Sequence, residues 1–242
     1  MGDIRRRDLL IGTAIALIGE SARSDAISGQ LPWKPDAGAP PRPVKAGPWQ
    51  YFTAAEGAAV EALADRIIPA DPDTPGGKDA GCAVFIDRQL AGPYGRDEGL
   101  YNRPPFIKGA KSQGPQSSIT PAQLYRAALA ALDRYCRGVS GNQSWVALGA
   151  DRQDDILSGI ESGSVQLQGV DGATFFTALV KDAQEGFFAD PLYGGNRDMC
   201  AWRMIGFPGA HYDYREWVGR HNERYPHPPV SIMGRRGWIP KS

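Results

Sequence analysis

The chain has 242 residues, with 27 Lys+Arg set against 27 Asp+Glu. A formal net charge of zero argues against nucleic acid as a main partner, because phosphate binding draws on a clustered basic excess. Apolar residues make up 42% of the chain, enough for one large domain or two small ones, and 30 Gly with 20 Pro predict long irregular connections. The three cysteines, Cys82, Cys136 and Cys200, form no CxxC pair, no zinc spacing and no CxxCH haem attachment site, so three free, partly buried thiols are expected.

Arg5-Arg6-Arg7-Asp8-Leu9-Leu10 precedes a short apolar run, Ile11 to Ile18. The twin arginine Arg6-Arg7, a spacer and the pair Leu9-Leu10 are the pattern of a Tat export signal. The run is too short to span a bilayer, which needs about 20 residues. Small residues at Ser24 and Ala26 suit cleavage after Ala26, although Glu20 and Arg23 cut the apolar region short. A basic-then-apolar helix is the plainer reading. The Tat route carries folded proteins, so it suits complexes that receive a cofactor before export. Residues 27–50 carry six prolines, from Pro32 to Pro48, with Trp33 and Trp49 between them. That composition predicts an extended arm lying along a surface, or a plain spacer.

The helices read in order. Thr53-Ala-Ala-Glu56 is a capping box, and Val60, Leu63, Ala64, Ile67 and Ile68 follow at helical spacing until Pro69. Asp71-Pro-Asp-Thr-Pro-Gly-Gly77 is a loop; Asp71 and Asp73 fit a turn better than a cation site, since the further oxygens of a calcium loop are missing. A helix is expected over Ala80 to Ala91, with Phe85, Ile86 and Leu90 on one face, ended by Gly92-Pro93. Residues 92–118 form a long polar loop, of the kind a function or a partner usually holds. Thr120-Pro121 starts a helix running to Val139, with Leu124, Ala128, Ala131, Leu132 and Tyr135 inward. Asp151 opens another through Ile160, and Asp171 caps one through Phe187. No alternating strand pattern appears, so the fold is predicted all-α, an irregular helical domain with Gly/Pro-rich loops over 51–218 and extended arms at 27–50 and 219–242.

Glu185 to Val218 is the densest stretch of aromatics, Gly, Pro and polar residues. Asp190-Pro191 halts the preceding helix. Gly194-Gly195-Asn196 tolerates positive φ. With Tyr193, Arg197, Trp202, Phe207 and Pro208, these residues compose a protein–protein anchor surface, or a rigid turn capping the helical core.

Motifs of chemistry are sparse. The sequence has no dinucleotide fingerprint after a strand and no nucleophile elbow. Gly76-Gly-Lys-Asp-Ala-Gly81 precedes a helix without a strand before it and reads as loop and cap rather than phosphate cradle. His211, His221 and His227 match no common zinc spacing, though Asp213, Glu216 and Glu223 lie close in sequence. A stand-alone metal-binding protein or enzyme using this histidine tail is the alternative reading.

Phe52-Thr53, Glu61-Ala-Leu-Ala-Asp-Arg-Ile-Ile-Pro-Ala-Asp71, Gly76-Gly-Lys-Asp-Ala-Gly-Cys-Ala-Val-Phe-Ile-Asp-Arg-Gln-Leu90, Glu185-Gly-Phe-Phe-Ala-Asp-Pro-Leu-Tyr-Gly-Gly-Asn-Arg-Asp198 and Trp202-Arg-Met-Ile-Gly-Phe-Pro-Gly-Ala210 resemble subunit 3 of the gluconate 2-dehydrogenase family. The likeness spans most of residues 49–230. It implies a small (gamma) subunit with no catalytic residues and no cofactor of its own. A large FAD-bearing subunit would oxidise a sugar or sugar acid, and a multihaem cytochrome c would pass the electrons to ubiquinone in the bacterial inner membrane. The small subunit would bring the flavoprotein to the Tat translocase, carry the export signal for both and hold the partner in the periplasm.

Overall fold

A computed structural model of the chain describes residues 44–98, 104–107, 109–110, 117–211 and 213–232. The export signal Arg6, Arg7, Leu9 and Leu10, most of the Pro-rich arm and residues 233–242 of the C-terminal arm lie outside the described residues. Within them the fold is all-α, with six helices: α1 (Ala54–Ile67), α2 (Cys82–Ala91), α3 (Pro121–Val139), α4 (Ala150–Ser162), α5 (Gly172–Phe188) and α6 (Cys200–Ile205). A single bridge pairs Gly209 with Val230, and no strand or sheet forms among the described residues.

Local chemistry starts the helices as expected. Thr53 and Glu56 complete a capping box at α1, and Thr120 and Gln123 do so at α3 ahead of Pro121. The Asp171 carboxylate accepts the Thr174 N–H at the start of α5. Two starts differ from the sequence reading. The second helix begins at Cys82 rather than Ala80, because Gly81 sits at φ 83° and no helical turn passes through a left-handed residue. The fourth begins at Ala150, with Gly149 at the extended N-cap position and Asp151 already inside the first turn.

Helix α5 is the centre of the packing. It lies against α2 and α4, and more lightly against α1 and α3. Val60, Leu63, Ile86, Leu132, Ile156 and Leu179 join one apolar core around Tyr125, Trp145 and Phe175. On α3 the buried face is Tyr125, Ala128, Leu129, Ala131, Leu132 and Cys136, with Leu124 and Tyr135 flanking it half-buried. A smaller cluster of Ala64, Ala80, Cys82, Phe187 and Ala201 joins α1, α2, α5 and α6.

Three aspartates lie inside this apolar framework. Asp87 on α2 accepts the backbone N–H groups of Gln50, Tyr51 and Phe52, each at 2.9 Å. Arg88 pairs with Asp87 and also donates to the carbonyls of Lys45 and Pro48, so the segment entering α1 is clamped to α2. Asp182 on α5 accepts from Tyr125 Oη at 2.8 Å and Tyr94 Oη at 3.0 Å, which ties α3 and the Tyr94–Arg96 turn to α5. Asp190, just past α5, accepts from the Leu192 N–H, Ser231 Oγ and the Ile232 N–H. The described part of the C-terminal arm therefore packs on its own subunit.

Removing the Asp87 carboxylate strands three N–H donors and half of a buried ion pair. Asp87→Ala is expected to destabilise the chain by about 3–5 kcal/mol, read from denaturant unfolding. A loss below about 1 kcal/mol would show that the clamp is incidental.

Burial raises the Asp182 pKa above the ordinary carboxylate value, and the two tyrosine hydrogen bonds only partly oppose it. The native state thus holds this proton more tightly than the unfolded chain does. The contribution of Asp182 to stability is fully present below its unfolded pKa of about 4 and falls as pH rises through the raised native value. Asp182→Asn, which keeps the shape and removes the charge, is expected to flatten this fall in melting experiments across pH 4–7. An unchanged pH profile would count against it.

Candidate partner-binding site

The site is built from the end of α5 forward. Asp190-Pro191 stops the helix, and the Asp190 cap folds Pro191–Tyr193 into a short 3-10 turn. Leu192 goes inward, and its carbonyl accepts the Val44 N–H at 2.8 Å. Its neighbour Tyr193 is thrown outward and is 45% exposed.

Gly194 and Gly195 serve close backbone approach. A Cβ on Gly195 would stand 2.0 Å from the Gly186 carbonyl oxygen of α5, and one on Gly194 would meet Val44 and Val84. The Arg197 N–H donates to the Ala80 carbonyl at 3.0 Å, fixing this loop to the turn before α2. Asn196 is fully buried at φ 44°; its Nδ2 donates to the Ala189 carbonyl, and its Oδ1 accepts the Ala201 N–H. One amide thus joins the end of α5 to the start of α6. Asp198 and Met199 also take left-handed conformations, at φ 57° each. For a methionine that is an uncommon strain, held here by the bonds on either side.

Helix α6 ends in a Schellman motif. Gly206 is left-handed, its N–H donates to the Arg203 carbonyl, and the Phe207 N–H donates back to the Trp202 carbonyl. The Phe207 ring packs edge-on against Trp202 at 5.1 Å, the apolar contact this motif favours. Trp202 is itself buried, with Nε1 donating to the Phe188 carbonyl.

The anchor residues read from sequence therefore divide. Gly195, Asn196 and Trp202 are buried and hold the loop together, with Gly194 and Pro208 half-buried beside them. Tyr193, Arg197 and Phe207 reach the surface. Two exposed apolar residues escaped the sequence reading: Met204 is 49% exposed and Ile205 57%. Their signal was the string Met204-Ile205-Gly206-Phe207, since three large apolar residues around a helix-ending glycine cannot all face inward.

The remaining candidates are placed as follows. The Asp71 carboxylate accepts the N–H groups of Asp73 and Thr74, a turn closing on itself. Gly76 and Gly77 press against α1, where a Cβ would meet Asp65 Oδ1 at 2.3 Å and the Ala64 carbonyl at 2.4 Å. His211 and His227 each pack on the ring of Tyr225, while His221 is exposed. Asp213 pairs with Arg215, which holds its carboxyl down at about 2. Glu223 pairs with Arg220. Among the described residues no group of three or more His, Cys, Asp or Glu side chains is arranged to hold a metal ion.

The three cysteines are free. Burial pushes the Cys82 thiol up to about 12 and Cys136 to about 11, away from the thiolate form that reacts. Cys200, half-buried at the start of α6, is raised as well.

These features define a helical domain in which an irregular segment held by its own hydrogen bonds presents apolar and basic side chains outward. The model of the family described as gluconate 2-dehydrogenase subunit 3 matches residues 54–209, well over half of the sequence, and the chain belongs to that family. Membership makes it one subunit of a multi-subunit, membrane-associated dehydrogenase. No curated protein and no solved structure matches it. No helix among the described residues is long and apolar enough to cross a membrane.

Alkylation gives a direct check on the site. With the native chain near neutral pH, iodoacetamide is expected to modify Cys200 slowly and Cys82 and Cys136 only after unfolding, as read by mass spectrometry. Rapid native labelling of Cys82 would contradict its burial.

Proposed function

We propose that this chain is the small, non-catalytic subunit of a periplasmic flavoprotein dehydrogenase that oxidises a sugar or sugar acid. The observation that carries the reading is the family match over residues 54–209. FAD belongs to the large subunit and haem c to a multihaem cytochrome subunit, which delivers the electrons to ubiquinone in the inner membrane. The twin arginine at Arg6-Arg7, followed by Leu9-Leu10, addresses the assembled pair to the Tat route. That route accepts a folded flavoprotein, so one signal on the small subunit serves both chains.

The described fold supports a holding role. Asp87 and Arg88 clamp the segment entering α1, and Asp190 ties down residues 231–232. The chain therefore meets its partner with residues 45–52 and 231–232 already anchored beside α2 and the end of α5, and a preordered surface loses less conformational freedom on association.

The test is recovery of the tagged full chain from detergent-solubilised membranes of its host, followed by an absorbance spectrum. A larger polypeptide with flavin bands, accompanied by reduced-haem bands, is expected. Sugar and sugar-acid oxidation by that preparation would then identify the substrate. A single colourless polypeptide would overturn the proposal.

A further inference from the structure

A cleft of about 560 Å³ lies between the Asp71–Pro75 turn and the outer face of α6, where Cys200, Arg203 and Met204 form its wall. Met204 belongs both to this wall and to the exposed apolar end of the helix. Beyond it come Ile205, 57% exposed, and Phe207, 44% exposed. The Schellman closure at Gly206 ends the helix here, and Phe207 keeps one side of its ring against Trp202 while the rest stays exposed. Three exposed apolar side chains within four residues, beside a cleft, fit the composition of an interaction site.

Charge narrows the partner. Arg203 in the cleft wall and Arg197 on the preceding turn are both exposed, and neither forms an ion pair or a side-chain hydrogen bond among the described residues. Arg66, Arg88, Arg126 and Arg137 each pair with a carboxylate, while Arg134 and Arg224, also without an ion pair, do not line the cleft. Across the cleft, Asp71 is engaged by its own backbone turn, and Asp73 in the same wall forms no ion pair with Arg203 among the described residues. Two guanidiniums left over beside an apolar patch call for carboxylates supplied from outside, and arginine next to large apolar groups is the composition of interface anchors.

We propose that the cleft and the apolar end of α6 dock the large flavin-bearing subunit through an apolar segment of that subunit flanked by carboxylates. This rests on the function proposed above. It moves the centre of contact from the Gly194–Asn196 turn, which is packed inside the chain, to Arg203, Met204, Ile205 and Phe207, with Arg197 at the rim. The buried turn positions the surface and does not itself touch the partner.

The test uses full-length tagged chain recovered from detergent-solubilised membranes, with flavin per chain as the readout. Ile205→Glu and Arg203→Glu are each expected to lower flavin recovery about tenfold or more, the effect of disrupting a central anchor. Val146→Glu, at a position 49% exposed on the separate Trp145–Ala147 turn, is expected to leave recovery within about twofold. Melting temperatures within about 3 °C of wild type separate lost docking from lost folding, and Met204→Ser replaces Ile205→Glu should that variant melt early. Full recovery in both surface variants, with flavin on the wild type, overturns this surface and leaves the function standing. A wild type without flavin overturns the function and this occupant with it. A wild-type dimer in light scattering that Ile205→Glu converts to monomer, with flavin retained, assigns the patch to a second copy and overturns the proposal.

Discussion

A carboxylate inside an apolar helix packing must be surrounded by donors, and the course of this chain outside its helices follows from supplying them. Asp87 draws in the N–H groups of residues 50–52, Asp182 draws in two tyrosine hydroxyls, and Asp190 draws in Ser231 and the N–H of Ile232. Helix α2 carries the first, α5 carries the second, and the third sits one residue beyond the α5 cap. Because α2 and α5 pack against each other, the entering segment, the Tyr94 turn and the returning segment all converge on one helix pair. Apolar contact alone would hold the helices but would not specify where such irregular segments lie, since the hydrophobic effect is non-directional.

Close backbone approach is the second constraint, and it shapes the candidate site. Gly186 on α5 lets Gly195 come within contact of its carbonyl, and Gly81 makes room for Gly194 and Arg197. A larger residue at Gly195 would have to displace main chain, which side-chain rotation cannot relieve. The string Gly194-Gly195-Asn196 is therefore a junction between α2, α5 and α6 rather than a flexible hinge. Its order is what allows the residues on either side, Tyr193 and Arg197, to stand outside at fixed positions.

Local signals made much of the fold legible. Thr53 with Glu56, Thr120 with Pro121 and Gln123, and Asp171 each act within one turn, so their roles follow from neighbours in sequence. The start of α2 was misplaced because a left-handed Gly81 is dictated by its contact with the Gly194 carbonyl, far along the chain. Asp87 could not be read at all. In Phe85-Ile86-Asp87-Arg88 it resembles an ordinary polar helix position, and the three N–H donors it accepts lie more than thirty residues away. The same limit applied at the site. Composition identified 185–218 as special, yet α6 is too short to show a period, so nothing separated buried Asn196 and Trp202 from exposed Met204 and Ile205. The family resemblance rested on those blocks as strings of residues, which needed no knowledge of which side chains face out.

The division of labour within that short stretch has a physical logic. Left-handed backbone at Asn196, Asp198 and Met199 costs energy at each residue and persists only where surrounding bonds over-determine it. Here the Asn196 amide, the Arg197 N–H bond to Ala80 and the Trp202 indole bond to Phe188 provide that restraint. The result is a six-residue helix, far too short to be stable alone, held rigid by its anchors at both ends. Rigidity of this kind matters most for a surface that meets a partner, because side chains already fixed lose little freedom on association. Strain inside the turn and exposure at the end of α6 are thus two halves of one arrangement: the buried residues hold a geometry that the exposed apolar and basic residues put to use.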